Sequence, residues 1–364
     1  MIKETDKVLS RVDERLKRIA NVLLINASFT DNLGLLNGKM GIAIFFYLYA
    51  RYTNNKIFSD YAGDLIDEIY SEINESTSIN FADGLMGIGW GIEYLVKNNF
   101  VEADTDEVLS DIDNAIYKHR INSPLLLSTG CDFFDYGLYY ISRLKSSSEN
   151  DDLKQLMKKH HLIFLIDECE RIFIYKRYLD FNIETLKIGT INSILWFLLE
   201  MYKVGLLSFK VKKLLGYLPT YLCFSNKEDS TLADYYFLYR LLKRAYEFLS
   251  DDALHYLYKS VIENYSINLY SQVNNDIFIR NITYFNLLNF IYELEPVNES
   301  LKDDLIKKAF NTIDSEEFWY KTLDKVNKSN LGLNGFAGLG FFLLSTEGFI
   351  GFQGINLPTA QYKK

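Results

Sequence analysis

Residues 83–95 read DGLMGIGWGIEYL: two glycines three apart, Gly84 and Gly87, open an apolar run about three helical turns long. Residues 34–52, GLLNGKMGIAIFFYLYARY, use the same device with Gly38 and Gly41, and residues 333–344, LNGFAGLGFFLL, use it with Gly335 and Gly338. Weaker copies lie between: DYGLYYISRL around Gly137, KIGTINSILWFLLEMY around Gly189, ADYYFLYRLLKRA around Asp234 and RNITYFNLLNFIYEL around Asn281. The seven anchors, at 38, 84, 137, 189, 234, 281 and 335, fall 45 to 54 residues apart. A spacing so even marks an internal repeat.

A second pattern alternates with the first. In FSDYAGDLIDEIYSEI, Tyr61, Leu65, Ile69 and Ile73 recur every four residues among acids, which is one apolar stripe on an otherwise wet helix. Each repeat is therefore a helix pair, one member apolar nearly all round and buried, the other striped and facing water. Seven such hairpins form two layers, either an open solenoid or an α/α toroid. Residues 1–33 lead in with a helix of their own, marked by Val8, Val12, Leu16, Ile19 and Leu23. The expected architecture is all-α and a single domain over residues 1–364. The paired glycines are read as packing and turn residues that let backbones approach and leave the inner-helix N-termini bare.

Composition agrees. Of 364 residues 48% are apolar and 24% charged, with 27 Tyr, 26 Phe and 3 Trp, while four prolines leave long helices uninterrupted. A net charge of −9 provides no basic stripe for phosphates, so nucleic acid is not an expected partner. Cys131, Cys169 and Cys223, odd in number and without a CxxC pair, point away from a disulfide framework and toward a reducing compartment. The opening MIKETDKVLSRVDERLKRI lacks a signal-peptide core, and the longest apolar runs fall short of a membrane span. A cytoplasmic protein without membrane insertion is the expectation. Patterns GxGxxG, Walker A, HExxH and GxSxG are all missing, which weakens nucleotide-binding, metalloprotease and serine-hydrolase readings.

The segments DGLMGIGWGIEYL, LLNGKMGIAIFFYL and LNGFAGLGFFLL resemble the inner-helix repeats of the LanC-like lanthionine synthetase cyclases. That resemblance implies one α/α toroid of about fourteen helices with the active site where inner-helix N-termini meet. It also implies an activity: addition of a cysteine thiol of a ribosomally made precursor peptide to a dehydrated Ser or Thr, closing a thioether ring. Dehydration is left to a separate enzyme or domain. Family members use zinc, which suits the chemistry because a free thiol with pKa about 8.5 is mostly protonated at neutral pH.

By resemblance the ligands should sit just before the fourth, fifth and sixth anchors. Here those positions hold Ile188, Leu232 and the pair Ile279–Arg280, none a zinc ligand, so no metal or other cofactor is expected. The family's proton-handling Asp near the third anchor has two candidates in CDFFDYG, Asp132 and Asp135. Arg280 replaces a ligand with a cation and is a candidate for contact with a carboxylate or phosphate. Trp90, Trp196, Tyr235 and Tyr236 are the candidate cavity aromatics, each of which also suits helix packing. Elsewhere, His160 and His161 read as a solvated helix face, His119 as a helix C-terminal residue, and His255 as part of an outer helix. Two functions follow: a zinc-free relative of the cyclases in peptide maturation, or a non-catalytic scaffold for a peptide or a peptide-modifying enzyme.

Overall fold

A computed structural model describes residues 2–122, 131–146, 152–175, 188–224, 232–249, 299–323 and 331–346, with 252, 255–256 and 258–259. Among them the chain is all-α, with fourteen helices. They are α1 (Ile2–Asn26), α2 (Lys39–Thr53), α3 (Lys56–Glu72), α4 (Leu85–Lys97), α5 (Thr105–Val108), α6 (Ser110–Asn122) and α7 (Cys131–Ser146). Then come α8 (Asp152–Glu170), α9 (Ile188–Val204), α10 (Ser208–Phe224), α11 (Leu232–Phe248), α12 (Glu299–Asp314), α13 (Glu316–Leu323) and α14 (Phe336–Thr346).

The two kinds of helix separate by burial. Every residue of α2 from Lys39 to Ala50 is buried, as is every residue of α4 from Leu85 to Leu95. In α3 only Ala62, Leu65 and Ile69 are buried. A helix apolar on all sides can only be an inner element, and one with a single stripe can only be a shell. The outer element of the second copy is broken in two: Asp104 caps α5, whose single turn stops at Leu109 before α6 begins.

Packing divides the chain into two compact units, Met1–Tyr117 with Asn281–Asn356, and Lys118–Arg280 with Leu357–Lys364. In the first unit α2 packs on α3 and α4, and α14 packs on both α1 and α2. Val12, Leu16, Ile19 and Leu23 of α1 are fully buried there. Within this unit the seventh-copy helix α14 lies directly against the first-copy helix α2. In the second unit the inner helices α7, α9 and α11 pack in sequence, with α8 against α7 and α10 against α9.

Candidate functional site: the inner-helix N-terminal ends

The turn into each strong copy has one construction. Gly38 and Gly84 are the N-caps of α2 and α4, with φ/ψ of −130°/−161° and −127°/−164°. These are extended conformations open to any residue, so glycine is not required by backbone angle. It is required by approach: a Cβ on Gly38 would run into the Asn32 carbonyl, and one on Gly84 into the Ser78 carbonyl, six residues upstream in both cases. The second glycines, Gly41 and Gly87, lie likewise over the carbonyls of Leu35 and Phe81.

That approach has a purpose. The Lys39 and Met40 N–H groups donate to Asn32 O and Leu33 O at 2.8 and 3.2 Å, and those of Leu85 and Met86 donate to Ser78 O and Ile79 O at 2.8 and 3.3 Å. In the seventh copy Ala337 and Gly338 donate to Leu331 O and Gly332 O at 3.1 and 3.3 Å. Contrary to the sequence expectation, these helix starts are not bare. Their first N–H groups, orphans in any helix, are met by the preceding loop.

The residue before each of these anchors is Asn37, Asp83 or Asn334, and the three are joined. Asp83 Oδ1 accepts from Asn37 Nδ2 at 2.8 Å and from Asn32 Nδ2 at 2.7 Å, while Asn334 Nδ2 donates to Asn37 Oδ1 at 3.3 Å. Backbone bonds run alongside, from Leu36 N–H to Ala82 O at 2.9 Å and from Asn334 N–H to Leu36 O at 2.7 Å. The belt thus binds copies seven, one and two through their entry loops. Lys39, the first residue of α2, is buried and reaches the outer helix, at 3.1 Å from Glu68 and 2.8 Å from Glu72. Burial works against its charge, but the two carboxylates prevail and hold its pKa above the ordinary value.

In the second unit the third copy departs from this plan. Gly137 lies six residues into α7 instead of at its start, and a Cβ there would meet the rings of Phe197 and Trp196 of α9. Its glycine therefore serves helix-to-helix packing. Trp196, 5% exposed, sits against Phe134 with ring centroids 5.0 Å apart. In the first unit Trp90, 8% exposed, lies between Phe81 and Tyr94 at 6.0 and 5.6 Å. Both candidate aromatics are packed in the cores of their own units. Asp135 is buried in α7. Asp132 is the second residue of α7, and Tyr235 and Tyr236 belong to α11; the side chains of these three lie outside the described residues, as does the whole of Arg280.

Three of the four positions expected to carry zinc ligands hold hydrocarbon side chains, and the fourth is Arg280. Ile188 begins α9 fully buried, Leu232 begins α11, and Ile279 lies outside the described residues. Neither Ile188 nor Leu232 has a donor atom, so zinc does not fit the residues present there. Among the described residues no three of His, Cys, Asp and Glu gather as a metal site. Cys169 is a buried free thiol whose pKa burial pushes well up.

Three details add to the sequence reading. His161 is not solvated: it is 5% exposed and stacks on Tyr140 at 4.3 Å, and burial beside Arg120 and His160 drives its pKa down to about 3. His160, its neighbour, points to solvent. His119 is in the last turn of α6, and its Nδ1 is 2.9 Å from the Tyr136 hydroxyl. Near the C-terminal ends of the inner helices, Glu200 of α9 is held by Arg244 at 2.5 Å and Lys145 at 3.6 Å. Burial alone would raise that carboxyl, and the two cations hold it below the usual range.

No helix among the described residues is long and apolar enough to cross a membrane. No curated protein and no solved structure matches the chain. Residues 30–162 match the family model of the Lanthionine synthetase C-like proteins. This stretch holds the first two anchors and their N-capping turns, with the third anchor inside α7. Over that stretch, which carries the first two repeat copies, the chain is similar to the Lanthionine synthetase C-like proteins.

Proposed function

We propose that this chain acts in the cytoplasm on a ribosomally synthesised peptide, as a zinc-free relative of the lanthionine cyclases. The observation that carries the reading is the family match over residues 30–162, combined with hydrocarbon side chains at Ile188 and Leu232 where ligands would be needed. Its partners are a precursor peptide and the enzyme that dehydrates it. In ring closure the cysteine sulfur bonds to the β-carbon of a dehydrated residue, its proton passes to a base, and the α-carbon gains a proton. No atom is lost and no redox partner is needed. Without a metal to lower the thiol pKa, the chain's contribution is proximity and orientation, with Asp132 or Asp135 as the proton-handling group.

A second reading, a non-catalytic scaffold that holds the peptide or its modifying enzyme, is favoured by the same hydrocarbons at Ile188 and Leu232. The two separate on one assay. A peptide bearing one dehydroalanine and one cysteine is incubated with the protein, and thioether formation is followed as loss of alkylatable thiol without a mass change. An enzyme accelerates closure and gives one diastereomer, and Asp135→Asn slows it. A scaffold leaves the uncatalysed rate and a diastereomer mixture. Zinc measured by plasma mass spectrometry at about one per chain would overturn the zinc-free part of the proposal.

A further inference from the structure

A recess of about 380 Å³ opens in the first unit between α1, the end of α12 and α13, lined by Glu14, Arg15, Arg18, Ile313, Asp314 and Trp319. Its size is at the small end of ligand sites, roughly 300–1,000 Å³. The wall charges are not equivalent. Arg15 is 8% exposed and committed, with Nε and Nη2 on the two Asp314 oxygens at 2.6 and 2.5 Å and its guanidinium over Phe310. That two-pronged pair is internally neutral and forms a rigid wall.

Glu14 and Arg18 are different. They stand four apart on α1, the spacing at which opposite charges ordinarily pair across a helix turn. They do not pair here. Arg18 is drawn over the Trp319 ring, 4.2 Å from its centroid, and Trp319 is itself pinned by Nε1 donating to Ile313 O at 2.7 Å and by stacking on Phe336. Neither Glu14 nor Arg18 has a hydrogen bond or ion pair with any described residue. One held cation and one open anion therefore face a recess backed by Ile313 and Trp319, which are themselves almost fully buried. Stacking fixes the Arg18 fork in advance, which lowers the entropy lost when a carboxylate docks on it.

We propose that this recess binds an amino-acid-sized zwitterion, with the ligand carboxylate on Arg18 and its ammonium on Glu14. The proposal does not depend on the peptide-maturation reading. The net charge of the four ionic walls is zero, so a simple anion gains nothing overall, whereas a ligand carrying both charges satisfies both open groups.

The test uses the full chain and three probes in isothermal titration: L-leucine, leucinamide without the carboxylate, and N-acetyl-leucine without the ammonium. Leucine is expected to saturate, and each analogue to bind roughly tenfold or more weakly, the worth of one charged hydrogen bond. Arg18→Gln should abolish the preference for leucine over leucinamide, and Glu14→Gln the preference over N-acetyl-leucine. Both side chains are exposed, so unchanged circular dichroism should accompany these losses; if a variant misfolds, the wild-type probe series still decides. Equal binding of all three probes, no saturation by leucine, or variants that keep both preferences would overturn the proposal.

Discussion

Replacing Gly84 by Ala should destabilise the protein, and replacing Gly63 by Ala should stabilise it. At Gly84 the new Cβ would collide with the Ser78 carbonyl and come within 2.9 Å of Asn80 O, all backbone atoms that cannot turn aside as a side chain can. The entry loop must move. It then loses the bonds from Leu85 N–H to Ser78 O, Met86 N–H to Ile79 O and Gly84 N–H to Asn80 O, now 2.8, 3.3 and 3.1 Å long. At about 1 kcal/mol each the loss is about 3 kcal/mol. Restricting the unfolded chain returns about 0.5–1 kcal/mol, leaving a net cost of about 2 kcal/mol. Gly63 lies mid-helix in α3, and its nearest neighbour would be the Tyr47 hydroxyl at 3.8 Å, an ordinary contact. There the entropy gain stands alone, about 0.5–1 kcal/mol in favour of Ala. Urea denaturation followed by far-UV circular dichroism measures both. A Gly84→Ala variant as stable as wild type would refute the claim that the anchor glycine exists for carbonyl approach, and a destabilised Gly63→Ala would refute the same accounting from the other side.

Two further outcomes rest on buried titrating groups. Burial, with Arg120 and His160 beside it, keeps His161 neutral with a pKa near 3, while in the unfolded chain it takes up a proton below about pH 6.5. Its contribution is therefore present above pH 6.5 and lost as pH falls, about 2 kcal/mol by pH 5. His161→Phe, which keeps the stack on Tyr140, should flatten that loss in midpoints compared at pH 7.5 and 5; parallel losses in both proteins would count against the assignment. The Tyr70 hydroxyl is buried without a hydrogen-bond partner among the described residues, and burial pushes its pKa up to about 12. Tyr70→Phe should gain about 1 kcal/mol at neutral pH, and it should retain more stability than wild type above pH 10, where the unfolded tyrosine ionises and the folded one does not. A loss of stability at pH 7 would show that the hydroxyl has a partner.

Much of the fold is legible because it follows from one-dimensional periodicity. The paired glycines ahead of apolar runs mark α2, α4 and α14, and the four-residue stripe of Leu65 and Ile69 marks α3 as shell. Gly137 shows where this stops. Its sequence surroundings match the other anchors, but α7 begins six residues earlier at Cys131, and the glycine faces Trp196 and Phe197 from a helix almost sixty residues on. Composition cannot say which backbone or ring a glycine approaches. His161 makes the same point for charge: beside an exposed histidine and two lysines it reads as wet, and only packing on Tyr140 makes it dry.

The belt of Asn32, Asn37, Asp83 and Asn334 had a readable signal, since Asn, Asp and Asn stand immediately before the three strongest anchors. Its meaning did not, because a hydrogen bond between residues 37 and 334 has no trace in local pattern. By itself the sequence determined the helical class, the inner and outer roles of the described helices and the hydrocarbon side chains at Ile188 and Leu232. These depend on residue type and spacing, which act over a few turns of one chain segment. Tertiary structure alone decided which carbonyls the glycines meet, that the first N–H groups of α2, α4 and α14 are already taken, and that Glu14 and Arg18 around the recess pair with none of the described residues. Those depend on distances between segments far apart in the chain, and such distances are set by the packing of whole helices.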